Sequence, residues 1–172
     1  MAEIRAALAN AGAYLTAHPE EAVYTDSLAT ATLESGLRTR VTGPSGESLL
    51  ADMPVSVGGG NSAPSAGWLL RAAEAACAAT VIAMRAAAEG IRLTQLEVTV
   101  DSRSDDRGIL GLDPAIPAGP LRGRVHVRIA AAGVAGDRLE SIARWGIDHC
   151  PVIDAVRRPI TMDVEIETAT GS

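Results

Sequence analysis

Two sulfur atoms hold most of the reactive potential of this sequence. The chain has two cysteines, Cys77 and Cys150, and their surroundings act on a thiol in opposite ways. Cys150 stands in DHCPVIDAV, residues 148–156, directly before a proline. Proline is favoured at the first helical position, where its missing N–H has no intrahelical partner, so Cys150 is the expected N-cap of a helix starting at Pro151. A sulfur there faces free amides and the positive end of the helix dipole. Both favour the thiolate, the nucleophilic form. Cys77 lies mid-way along GWLLRAAEAACAATVIAMRAAAEG. Counting by three and four places Leu70, Ala73, Cys77, Val81, Met84 and Ala88 on one apolar stripe, where burial disfavours charge unless a cation approaches. Arg71 and Arg85 reach other parts of the same helix surface, which leaves Arg38 and Arg40 as the free cations. From residue chemistry alone two outcomes stay open: a redox pair, or two inert small hydrophobes, a common fate of free cysteine.

Other constellations are weaker. GGGN at residues 58–61 lacks the Gly-Lys-Ser/Thr ending of a phosphate loop and reads as a flexible turn. DSRSDDRG lacks the spaced acids and closing Glu of a calcium loop and reads as a solvated hairpin tip. His149, Cys150 and a distant Cys77 do not have the paired spacing of a zinc site, so neither a metal nor any other cofactor is expected. No G-x-S-x-G elbow supports a serine hydrolase. Trp68 and Trp145 are expected to pack the ends of their helices.

Composition narrows the partners. The 172 residues are 47% hydrophobic, enough for a real core, and carry 21 acidic against 15 basic side chains for a net charge of −6. Phe is absent and aromatics make up 2%, so neither a phosphate-neutralising surface nor a stacking platform is available to nucleic acid. The first residues do not resemble a secretory signal, and no unbroken apolar run of about 18 residues suggests a membrane span. The expectation is a cytoplasmic protein with no nucleic-acid or membrane partner. In that reducing compartment, a bond between the cysteines would be transient and chemical.

The elements that must position these residues follow from periodicity. Ile4, Ala7, Leu8, Ala11 and Leu15 predict a short N-terminal helix interrupted at His18-Pro19, so residues 1–27 are assigned to a helical extension and 28–172 to a single domain. SLATATLESGLRTRVTG reads as a strand and, after the GPSGE turn, SLLADMPVSV as a second extended run. The long helix spans 67–89, with Gly90 at its left-handed cap. Leu96, Val98 and Val100, then Val125, Val127 and Ile129, alternate as two strands, with His126 and Arg128 on the opposite face of the second. Leu139, Ile142, Ala143 and Ile147 line a helix. Ile160, Met162, Val164 and Ile166 predict a closing strand.

Read together, APSAGWLLRAAEAACAATVIAMRAAAEGIRLTQLEVTV and HCPVIDAVRRPITMDVEI resemble the OsmC/Ohr family of osmotically inducible and organic-hydroperoxide-resistance proteins, over about residues 28–168. In that family one cysteine lies mid-way along a long central helix, and a second lies in a Cys-Pro pair before a short helix and a final strand. The resemblance implies an α+β fold with antiparallel sheets wrapped around long central helices in an intertwined homodimer. It implies a thiol peroxidase acting on a small-molecule hydroperoxide: Cys77 attacks the O–O bond, Cys150 resolves the sulfenic acid as a disulfide, and an external dithiol reduces it. It gives the first attack to the helix cysteine, whereas the N-cap chemistry above makes Cys150 the more acidic thiol. One departure is specific. The glutamate that in peroxidase members holds an arginine against the thiolate falls at Gly67, ten residues before Cys77. Glu74 is the nearest substitute, and Arg38 or Arg40 resembles the strand arginine. The alternative function is a non-catalytic dimer that binds a small apolar ligand.

Overall fold

The computed structural model describes residues 2–169. In chain order it runs α1 (Ala2–Ala17), β1 (Thr30–Ser35), β2 (Arg38–Thr42), β3 (Ser48–Ala51), α2 (Ala66–Ala88), β4 (Leu93–Arg103), α3 (Asp106–Ile109), β5 (Arg122–Ala131), α4 (Gly136–Asp148) and α5 (Pro151–Arg157). This is an α+β architecture of two small antiparallel sheets, β1-β2-β3 and β4-β5, with helices packed on the second.

The helix α2 is defined by its caps. Ser65 accepts a hydrogen bond from the Trp68 amide at the N-terminus, and Gly90, at φ +73°, follows the C-terminus in the left-handed conformation that glycine adopts without a Cβ penalty. The buried line along it is Ala78, Ile82 and Ala86. The predicted stripe is therefore off by about one residue: Cys77 sits at the edge of the buried face, and Leu70, Ala73, Met84 and Ala88 are exposed. Alanine on every side makes several stripes equally apolar, so only the packing partner decides which one is covered. By length and a mean hydropathy of 1.3, α2 is long and apolar enough to cross a membrane, although Arg71, Glu74 and Arg85 interrupt its apolar run. Here it is a core helix, packed on β4 and α4 with Ile82 and Ala86 fully buried.

Gly146 of α4 meets α2 at Ile82. A Cβ there would lie 2.8 Å from both the Ile82 backbone nitrogen and its Cα, so glycine lets the two helices cross at backbone distance. Ile82, Ala86, Ile142 and Ala143 form the core, against which Leu96, Val98, Val127 and Ile129 of the β4–β5 hairpin pack. Complete burial of Ile82 and of Ile142 stabilises by roughly 2 kcal/mol each. The other face of the hairpin is polar, as the alternation predicted. Glu97 pairs with Arg128, and Asp101 with Arg124, directly across the strands.

Two stretches differ from expectation. The run read as one strand over 27–43 is a hairpin, β1 and β2, because Gly36 at φ +56° turns the chain between them, so Arg38 and Arg40 lie on the second strand. The predicted closing strand has no strand partner among the described residues. Ile160, Met162, Val164 and Ile166 are 51–81% exposed, since a strand needs a neighbour to supply its hydrogen bonds and this chain presents none there.

Candidate functional site

The chain brings the two cysteines together. Cys150 is fully buried in a cluster with Ala78 and Ile153, and half-buried Cys77 packs against that cluster beside Val98, Val125, Ile147 and Val152. Both thiols are free. Cys150 is the N-cap of α5, as its Cys-Pro pair indicates, with extended backbone at φ −79° and ψ 111°. The expected acidity does not follow. Burial pushes the Cys150 thiol up, Cys77 beside it pushes the same way, and the opposing pull of the Ile153 and Val152 amides is too weak to reverse this. The sulfur makes no cap hydrogen bond of full geometry, and α5 is only seven residues long, so its dipole is small. Desolvation wins, and the conflict over which thiol attacks first loses its basis.

Arg38 and Arg40 do not join the cysteines within the chain. Both bind Glu34 on β1: Arg38 Nε lies 3.1 Å from one carboxylate oxygen, Arg40 Nε donates to the other at 2.5 Å, and Arg40 Nη1 reaches Ser48 Oγ at 3.3 Å. Their strand packs on β1 and β3 and makes no substantial contact with α2. Glu74 does lie at the site, one turn before Cys77. Burial raises its carboxyl above the usual range, and only Arg71 nearby opposes that. Arg71 donates to Ser102 Oγ at 3.2 Å, and its guanidinium sits 3.8 Å from where a side chain on Gly67 would begin.

Glu74 also lines a groove of about 660 Å³ walled mainly by β5, α4 and α5. Val125, Ile147 and Ile153 are shared between its wall and the cysteine cluster, so the groove adjoins that cluster, with neither cysteine in its lining. No group of three or more metal-ligating side chains occurs among the described residues.

The residues singled out for other chemistry have structural places. Trp145 stacks on His149 with ring centroids 3.9 Å apart, and the Arg85 guanidinium lies over the Trp145 ring at 4.8 Å from its centroid. Trp68 is half-exposed beside the 58–65 loop. That loop is not free: buried Asp52 accepts from the Met53, Gly60 and Ser62 amides and from Ser62 Oγ, which hold its carboxyl down at about 2. Sequence reasoning missed Asp52. An aspartate at a strand end, ahead of glycines and serines with free amides, is the local signal that marks such an anchor.

The profile of the OsmC-like protein family matches residues 59–165, the segment that holds both cysteines and the groove. No match occurs among curated protein sequences. Among solved structures, the chain resembles an OsmC-like protein from Mycoplasma pneumoniae at TM-score 0.65 and 14% identity, covering 78% of this chain and 89% of that one. It resembles an organic hydroperoxide resistance protein OsmC from Legionella pneumophila at TM-score 0.58 and 22% identity, covering 78% and 91%. One from Elizabethkingia anophelis gives 0.59 and 19%, covering 80% and 91%. These likenesses reproduce the α+β fold, and the profile covers more than half of the residues. The chain belongs to the OsmC-like protein family.

Proposed function

We propose that the protein is a thiol-dependent peroxidase that reduces organic hydroperoxides in defence against oxidative stress. The observation that carries this reading is the packing of Cys77 against buried Cys150, two sulfurs far apart in sequence that share one apolar cluster beside a groove. The organic hydroperoxide resistance named for the Legionella and Elizabethkingia proteins supports it.

In this reading the Cys77 thiolate attacks the distal oxygen of ROOH. The O–O bond breaks, RO⁻ leaves and takes a proton to become ROH, and Cys77 is left as the sulfenic acid. Cys150 then attacks the Cys77 sulfur, water leaves, and a disulfide forms. An external dithiol reduces it by exchange and is itself oxidised. The raised Cys150 thiol suits the second step: it stays protonated and silent while Cys77 meets peroxide. The cytoplasm supplies the reducing pool for the last step.

The working form is proposed to be a homodimer. Leu33 on β1, Leu70 and Met84 on α2, and the alternating run from Ile160 to Ile166 leave apolar surface uncovered that a second copy would bury. Such a pairing would also offer Arg38 and Arg40 a thiol that their own protomer does not present.

A test follows tert-butyl hydroperoxide consumption with a dithiol as reductant. Cys77→Ser abolishes turnover. With the dithiol left out, Cys150→Ser consumes one equivalent of peroxide and then stops, with a sulfenic acid that a dimedone probe captures. Undiminished turnover in Cys77→Ser excludes the mechanism. One observation favours a second reading, the binding of an apolar ligand without redox chemistry: by the family resemblance, Gly67 stands where peroxidase members hold their glutamate. A wild-type protein inert to peroxide that nonetheless binds an apolar fluorophore, displaced by bulky substitution at Val127, would support it.

A further inference from the structure

The groove beside the cysteines carries six charged side chains, and five of them are neutralised locally. Arg124 binds Asp101 at 2.7 Å, Arg144 binds Glu140 at 2.5 Å, and Arg157 binds Asp148 at 3.3 Å. Glu74 differs: among the described residues it makes no salt bridge and no hydrogen bond, and the nearest cation on its own helix, Arg71, donates to Ser102 instead. It is partly withdrawn from water and precedes Cys77 by three residues on α2. Side chains at that spacing are neighbours on a helix surface, about 5–6 Å apart at their Cβ atoms. The apolar residues at this end, Val125, Ile147 and Ile153, belong to both the groove and the cysteine cluster, so the groove that Glu74 lines adjoins the cluster against which Cys77 packs.

We propose that Glu74 is a proton relay for Cys77, a role that rests on the peroxidase reading above. The Glu74 carboxylate takes the proton of the Cys77 thiol as the sulfur attacks the distal oxygen of the hydroperoxide. The O–O bond breaks, and the alkoxide leaving the proximal oxygen takes that proton back from the Glu74 carboxylic acid. The sum is Cys–SH plus ROOH giving Cys–SOH plus ROH, with no net proton released and no further reactant. A relay of this kind suits a sulfur on α2, a helix with which the strand of Arg38 and Arg40 makes no substantial contact among the described residues, because the thiol proton leaves as the sulfur attacks. The desolvation that raises the Glu74 carboxyl makes it a better match for both the thiol and the alkoxide than a solvated carboxylate would be.

The alternative to a relay is a bystander charge, and the two predict opposite signs. A carboxylate beside a thiol opposes thiolate formation, so a bystander Glu74 predicts that Glu74→Gln speeds Cys77 chemistry near neutral pH. A relay predicts that Glu74→Gln slows it by about 100-fold. The test has two arms. The first follows disulfide formation with tert-butyl hydroperoxide in the full-length reduced protein, by quenched mass spectrometry from pH 5 to 9. The second follows iodoacetamide alkylation of Cys77 in the Cys150→Ser background, which needs no peroxide. Slowing in both arms, with Glu74→Asp recovering part of the rate and the wild type losing rate at low pH as the carboxyl is protonated, supports the relay. A Glu74→Gln rate equal to or above wild type in the peroxide arm overturns it and leaves the peroxidase reading intact. A wild type that forms no disulfide overturns the peroxidase reading itself, and the alkylation arm then decides whether Glu74 serves Cys77 as a base.

Discussion

The two sheets of this protein share a pattern and not a fate. Both are antiparallel and both alternate apolar with polar residues, yet β4–β5 turns its apolar face onto α2 and α4, whereas all six residues of β1 remain exposed. Alternation specifies a strand and its two faces. It does not say whether the chain itself contains a surface to cover one of them. The candidate site divides along the same line: Cys77, Cys150 and Glu74 belong to the packed region, and Arg38 and Arg40 to the bare one.

The contrast can be broken most severely at Gly146. Gly146→Val forces side-chain atoms into the Ile82 backbone and is expected to lower the melting temperature by more than 10 °C or to abolish folding, since overpacking of this kind costs about 1–3 kcal/mol or more. Leu33→Ser on β1 is expected to leave protomer stability within about 0.5 kcal/mol. Equal losses in the two variants, measured where the chain is monomeric, would show that β1 is covered within the chain after all.

Arg38→Ala and Arg40→Ala sharpen the contrast functionally. Each is expected to leave the fold intact and, in a dimer that presents β2 to the partner's cysteine pair, to slow Cys77 oxidation about tenfold. An unchanged rate for both would confine the chemistry to the packed region.

Asp52 sets a smaller effect at the border between the two. Its carboxyl is held at about 2, below the ordinary value of 3.8, by hydrogen bonds led by those from Ser62. Because the folded value is depressed, the stabilisation is present above the unfolded value and is lost as pH falls from about 4 toward 2. Melting temperature against pH should therefore fall across that window in the wild type and stay flatter in Asp52→Asn. Parallel curves would remove the anchor role. Smallest of all, Arg128→Ala deletes an exposed cross-strand pair and should cost no more than about 1 kcal/mol.

Local signals were legible in the sequence wherever the physics is local. Gly90 closed α2, alternation marked β4 and β5 with the correct inward faces, Leu139, Ile142 and Ala143 lined α4, and the Cys-Pro pair placed Cys150 at an N-cap. What failed depends on distant neighbours. The alanines of α2 offered several equivalent stripes, and packing selected one: Ile82 and Ala86 lie against α4, and Ala78 against Cys150 and Ile153. The turn at Gly36 was hidden inside a continuous β-like composition. The acidity expected at Cys150 assumed an exposed sulfur, whereas a complete tertiary cluster covers it. Of the residues named from the sequence, the two cysteines share one cluster and Glu74 lies on the groove wall. The sequence could not indicate that Glu34 holds the two strand arginines.

The most direct measurement weighs the intact reduced chain before and after one equivalent of an alkyl hydroperoxide, followed by peptide mapping. The expected result is a loss of two hydrogens and a single new crosslink between the peptides of Cys77 and Cys150. An unchanged mass, or oxygen accumulating on Cys77 while Cys150 stays free, would contradict the pairing on which the peroxidase reading depends.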